Sequence, residues 1–235
     1  MKTTKLKIVL TVLMVAFTSF AFSACTKKSK TAPIEPTPTP KLLELEAKDK
    51  PYISLTPRQD GHELKLKIIN IPDFVEQIEY ELIYLAVDED IEMEKGVGDT
   101  IKVTSSTIER DLLLGTASCT NGCKYKYDTG VTGGTLSLSL ITSNNQVATF
   151  ETPFTLTAAS DLKTLSVEDF SVSATTKTKD FFVVLRNYGT KDKSTVSSIY
   201  SIFSSGSGSG KISSVSPQNA NKDDKNIISG DYLIN

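Results

Sequence analysis

Gln77-Ile78-Glu79-Tyr80-Glu81-Leu82-Ile83-Tyr84-Leu85-Ala86-Val87 is the stretch that decides the fold. Ile78, Tyr80, Leu82 and Tyr84 share one side of an extended chain. On the other side, Glu79 and Glu81 come first and Ile83, Leu85 and Val87 follow. Apolar residues at every second position specify a strand, because successive side chains of an extended chain point to opposite faces. The change from acidic to apolar on the second face predicts a central strand, wet at its start and covered on both sides at its end.

The same period of two runs outward in both directions. Leu64, Leu66 and Ile68 alternate with Glu63, Lys65 and Lys67, and Tyr52, Ile53 and Leu55 precede Pro57. Shorter strands are expected over residues 96–107, 110–115 and 124–127. Leu136, Leu138 and Leu140 alternate with serines, Ser143-Asn144-Asn145-Gln146 turns, and Val147 to Leu156 returns as a hairpin partner. About seven short strands with turn residues every ~8–12 positions are the rhythm of an antiparallel β-sandwich. In length and strand rhythm, residues 51–158 resemble an immunoglobulin-like or fibronectin type III-like domain. The Cys…Trp…Cys core signature of antibody domains is missing, since Trp is absent and the two nearby cysteines are local.

Ala158-Ala159-Ser160-Asp161 reads as a boundary, and residues 159–235 as a second, smaller β-rich domain. Phe170, Val172 and Ala174 lie on one face of a strand. Phe181 to Leu185 is a continuous apolar run, which specifies a strand buried on both faces. Val196 to Phe203 and Ile227 to Ile234 supply further strands, and the end at Tyr232-Leu233-Ile234-Asn235 is expected to pair in a sheet.

The amino-terminal segment carries a different message. Lys2, Lys5 and Lys7 precede an apolar run from Ile8 to Phe22, and Phe22-Ser23-Ala24 leads into Cys25. The run is shorter than the ~20 apolar residues of a spanning helix, and Thr11, Thr18 and Ser19 interrupt it. This arrangement resembles the signal peptide and lipobox of a bacterial lipoprotein, with Phe22 where that pattern usually has Leu. The resemblance implies removal of residues 1–24, lipidation of the Cys25 thiol with palmitate-type chains, and attachment to the cell membrane or outer membrane on the extracytoplasmic side. An ordinary secretory signal cut near Ala24 and an uncleaved signal anchor are the competing readings. Residues 25–50 then form a tether, in which Pro33, Pro36, Pro38 and Pro40 favour an extended spacer at about 3.1 Å per residue. Leu42 to Lys48 suits a helical turn or an edge strand.

Composition excludes several classes. Residues 1–24 hold three lysines and no acid, so their removal moves the formal charge from −2 to −5. A mildly acidic chain without a basic cluster argues against nucleic acid as a partner. Setting Cys25 aside leaves Cys119 and Cys123 around Asn121-Gly122, a turn dipeptide. In an oxidising compartment such a pair bridges. A redox pair would more often show two intervening residues, and zinc would need further ligands where His62 is the sole histidine. No metal site and no cofactor beyond the lipid on Cys25 are expected.

The remaining motifs have plain readings beside sharper ones. His62 in a turn is a solvated polar residue, and no Gly-x-Ser-x-Gly elbow accompanies it. Asp88, Glu89, Asp90, Glu92, Glu94 and Asp99 read as a solvated acidic loop, with weak cation binding as the alternative. Ser204 to Gly210 reads as a flexible hairpin loop and lacks the pattern of a phosphate loop. Tyr125 and Tyr127 share a strand face and form either a half-buried pair or a contact patch. The sequence therefore points to a non-catalytic, lipid-anchored binding, adhesion or envelope-structural protein with a protein or glycan ligand. The alternatives are an envelope hydrolase acting on glycans through paired carboxylates, or an accessory subunit of a secretion or surface complex.

Overall fold

The computed structural model describes residues 40–192, 198–222, 224 and 225–234. The lipobox and most of the Pro-rich segment fall outside the described residues. Residues Pro40–Asn235 form one compact unit. The strands are β1 (Lys41–Leu42), β2 (Tyr52–Pro57), β3 (Glu63–Ile69), β4 (Val75–Asp88), β5 (Ile91–Lys102), β6 (Thr107–Leu113), β7 (Gly115–Ser118), β8 (Lys124–Tyr127), β9 (Gly133–Thr142) and β10 (Gln146–Ala158). After a 3-10 turn at Ala159–Asp161 come β11 (Thr164–Val167), β12 (Phe170–Thr175), β13 (Phe181–Asn187), β14 (Ser198–Ser204), β15 (Lys211–Ser216), β16 (Ala220–Asn221) and β17 (Gly230–Ile234). Among the described residues there is no α-helix, and hence no helix long and apolar enough to cross a membrane. The fold is all-β.

One nine-stranded sheet carries the molecule, in the order β16-β17-β14-β13-β10-β9-β4-β5, with β1 added in parallel to β10. A sheet of order β2-β3-β6 packs on one of its faces and a sheet of order β11-β12-β15 on the other. Two cores result. The first joins Ile53, Leu55, Leu64, Leu66 and Leu112 to Ile78, Leu82, Leu136, Leu138 and Leu140. The second joins Leu165, Phe170 and Val172 to Phe182, Val184, Tyr200 and Tyr232.

β13 belongs to both cores. Val183 and Leu185 face the first, Phe182 and Val184 the second, and all four are fully buried. This accounts for the continuous apolar run that sets β13 apart in the sequence. The pairing of β10 with β13, from Phe154↔Leu185 to Ala158↔Phe181, carries the large sheet across residues 158–159. At that boundary the chain leaves the large sheet through the 3-10 turn and enters the second small one.

Four local features differ from expectation. β4 lies inside the sheet between β9 and β5, yet Leu85 on its outer face is 51% exposed. Its outer face stays open because β11-β12-β15 packs over β13 and β14 at the far end of the sheet. The acidic stretch is a hairpin. Glu89 and Asp90 take positive φ values of 50° and 65°, the left-handed pair of a two-residue tight turn, and β5 pairs with β4 from Asp88↔Ile91 to Gln77↔Lys102. Ser204 to Gly210 is a held crossing between sheets, because β14 lies in the large sheet and β15 in a small one. The buried Asp180 carboxylate accepts bonds there from the Gly208 N–H at 2.9 Å and the Ser204 hydroxyl at 3.0 Å. Finally, the last residues of the expected tether join the fold: Leu43 and Leu45 pack on the first core beside β1.

A buried polar network ties β2 to the carboxyl-terminal strands. Asn187 Oδ1 accepts from the Ile53 N–H at 2.7 Å, while its Nδ2 donates to Ile53 O at 2.9 Å and Ser201 Oγ at 2.7 Å. The Tyr52 and Ser201 hydroxyls both donate to Asp231 Oδ1, each at 2.7 Å. β2 is the edge of its sheet, so the Asn187 amide supplies Ile53 with the backbone partner that a further strand would have provided.

Candidate functional site: an exposed aromatic hairpin

The β7–β8 hairpin stands outside the three larger sheets, in a two-stranded sheet of its own. Leu114 roots it in the core at 1% exposure, and the backbone N–H of Asp128 donates to Leu114 O at 3.0 Å where the hairpin closes. The Asp128 carboxylate is buried. It accepts the Tyr84 hydroxyl at 2.8 Å and is ion-paired with Lys95. Burial, and then this carboxylate, push the Tyr84 phenol above its ordinary range. Two side chains of the large sheet thus hold the base of the hairpin, and the Cys119–Cys123 disulfide closes its tip.

Strand register sorts the hairpin into two faces. Tyr127 stands opposite Gly115 and Tyr125 opposite Ala117, so small residues leave room for both rings. Lys126 stands opposite Thr116 and Lys124 opposite Ser118, which makes the other face basic and hydroxyl-bearing. Tyr125 and Tyr127 are 54% and 37% exposed. Their rings are nearly parallel, with centroids 6.0 Å apart. The His62 ring stacks on Tyr127 at 4.5 Å and an interplanar angle of 7°.

A charged cluster holds this stack from the β2–β3 side. The Arg58 guanidinium lies 5.6 Å from the Tyr127 ring centroid, within range of a cation–π attraction. Asp60 grips Arg58 with both carboxylate oxygens at 2.8 Å, and Glu63 adds a contact at 3.0 Å. The Arg58 pairing draws the Asp60 carboxyl down to about 2. Asp60 Oδ1 also accepts the His62 N–H at 3.1 Å, which fixes the turn that carries the imidazole. Part of the stack is therefore built before any ligand arrives, and a rigid aromatic surface loses little entropy on binding.

The expected site residues fall as follows. Cys119 and Cys123 are bonded to each other, and Cys25 lies outside the described residues. Tyr125 and Tyr127 form the exposed pair. His62 joins them although it is 63 and 65 positions away in sequence, a contact that no local pattern encodes. Arg58 was not singled out by the sequence at all. Among the described residues no three His, Cys, Asp or Glu side chains converge as metal ligands. Tyr232 is fully buried, and β17 pairs with β14 along its length, as the apolar pattern at the end of the sequence predicts.

A second concavity lies on the open outer face of the large sheet. It is a shallow groove of about 600 Å³ lined by Glu79, Glu81, Gly96, Gly98, Ser137 and Ser139. Glu79 and Glu81 sit side by side on β4 and project the same way, so they do not face one another across a gap. Glu151 shares this face two strands from Glu81, with Ser137 between them. The chain matches no protein-family model, no curated protein and no solved structure.

Proposed function

We propose that this protein is a lipid-anchored, extracytoplasmic binding protein that uses the aromatic face of the β7–β8 hairpin as its contact surface. The observation that carries the reading is the exposed, pre-stacked group of Tyr125, Tyr127 and His62 on a hairpin fixed at both ends. Tyrosine is enriched where proteins meet partners, because it offers a large apolar area with a polar tip and few rotatable bonds. A disulfide at the hairpin tip suits an oxidising compartment, in keeping with export directed by residues 1–24. Acyl chains on Cys25 would supply the anchor, and the prolines between Pro33 and Pro40 would hold the folded part away from the lipid.

Two experiments test the two halves of this reading. Cys25→Ala is expected to move the protein from the membrane to the soluble fraction; unchanged membrane association refutes the lipid anchor. For the contact surface, immobilised mature protein is offered solubilised envelope proteins and, in parallel, envelope polysaccharide. Retention is expected to fall in a Tyr125→Ala/Tyr127→Ala variant with an unchanged far-UV spectrum. Equal retention by the variant removes the hairpin from the binding surface.

A further inference from the structure

Among the described residues, β5 ends the large sheet and leaves twelve residues of backbone along an open edge. Which backbone groups face outward follows from one hydrogen bond. The Val103 N–H donates to Glu76 O at 2.8 Å, and Val103 and Glu76 continue the register that pairs Lys102 with Gln77. In an antiparallel ladder, hydrogen-bonded and non-hydrogen-bonded pairs alternate. The odd-numbered residues of β5 therefore turn their N–H and C=O groups toward β4. Glu92, Glu94, Gly96, Gly98, Thr100 and Lys102 turn theirs outward.

A long exposed edge of this kind is a template for another strand. We propose that its partner is β5 of a second copy of this chain, antiparallel, with the two-fold axis at Val97. A self-pair must set outward-facing groups opposite outward-facing groups, so the axis passes through a residue and not between residues. With the axis at Val97, Glu92 lies opposite Lys102 and Lys95 opposite Asp99. Met93 lies opposite Ile101, Ile91 opposite Val103, and Val97 meets its own copy. Gly96 faces Gly98 and Glu94 faces Thr100. Every charged position then meets an opposite charge or a hydroxyl, every apolar position meets an apolar one, and the two-fold axis repeats each pair.

Neighbouring registers lack this match. Moving the axis to Gly96 sets Met93 against Asp99, and moving it to Gly98 sets Lys95 against Ile101. The chosen register also covers Ile91 and Met93, which are 64% and 37% exposed in the single chain. Two existing contacts adjust. Asp99 Oδ1 accepts the outward N–H of Thr100 at 2.8 Å in the single chain. On pairing, that N–H passes to Glu94 O of the second copy, and the carboxylate is freed for Lys95. Lys95 already meets Asp128, and an ammonium has donors for both carboxylates.

The test is a charge swap read by sedimentation velocity on the mature chain. Cys25→Ser is included throughout so that no acyl chain drives association. Inside one chain Glu92 faces Val87 and Lys102 faces Gln77, so the two side chains meet only across the two-fold axis. The expected result is a concentration-dependent dimer. Glu92→Lys alone and Lys102→Glu alone each weaken it by about tenfold or more, and the double exchange restores it. A chain that stays monomeric up to ~1 mM, the weakest affinity worth assigning, overturns the proposal. So does a dimer indifferent to both single exchanges, or one that the double exchange fails to restore.

Discussion

Asn187→Ala tests how the two cores are held as one unit. The Asn187 amide makes three buried hydrogen bonds: from the Ile53 N–H, to Ile53 O and to Ser201 Oγ, at 2.7, 2.9 and 2.7 Å. Asn187 is 4% exposed, and Ile53 and Ser201 are 1% and 0% exposed, so water does not replace the lost partner freely. A buried polar group left without a partner costs about 1–3 kcal/mol. Ser201 keeps its bond to Asp231, which leaves the two Ile53 groups as the main loss. The expected destabilisation is about 2–5 kcal/mol, a large part of the ~5–15 kcal/mol typical of a folded domain. Urea unfolding followed by far-UV circular dichroism measures it: the midpoint should fall while the slope stays constant. Ser201→Ala, taken with Asn187→Ala, should show a non-additive coupling, because the two side chains share one bond. A loss below ~1 kcal/mol would mean that the amide is not the backbone surrogate described above.

Other perturbations follow from the same contacts. Replacing Cys119 and Cys123 by Ser should cost at most about 2 kcal/mol, because the closed loop is short; limited proteolysis should then cut between Ser118 and Lys124 before the rest of the chain. Asp128→Asn removes the charge that pairs with Lys95 and accepts from Tyr84, and faster amide exchange confined to β7 and β8 is expected; protection unchanged from the parent contradicts the anchoring role. Tyr52, Tyr84, Tyr200 and Tyr232 are pushed above the ordinary phenol range, in each case mainly by burial. These rings keep their protons in the native state when the unfolded chain has begun to lose them near pH ~10, so stability should fall as pH rises above that point. Thermal melts at pH 8 and 11 measure the fall, and reversible ionisation of these four rings at an ordinary phenol pH without unfolding would count against it. Leu82→Ala, at a fully buried site of the first core, should cost ~2–5 kcal/mol.

The strand pattern was legible because a pleated backbone converts burial into a period of two. β3 and β9 place Leu and Ile on the covered face and mostly charged or hydroxyl residues on the other, while β4 keeps Ile78, Tyr80, Leu82 and Tyr84 covered and turns from acidic to apolar on its open face. The run at Phe181–Leu185 marked a strand covered on both faces. The hairpin of β9 and β10 was visible through Asn144-Asn145, and Asn145 takes the positive φ of 57° that such a turn needs. β5 was missed over its first half because Glu92 and Glu94 drew attention to charge. Ile91 and Met93 alternate with them, which is a strand pattern at an open edge.

Alternation along one strand tells which side is covered and is silent about what covers it. The sequence by itself determined an all-β chain, the local Cys119–Cys123 bridge and the doubly buried β13. Tertiary structure alone decided that β13 would stand between two cores, and that Tyr52 would reach Asp231 across 179 positions of sequence. It also decided that His62 and Arg58 would meet Tyr127. Those contacts arise where sheets stack and hairpins fold back, and the order in which sheets stack is set by packing between distant strands, which no short stretch of residues contains.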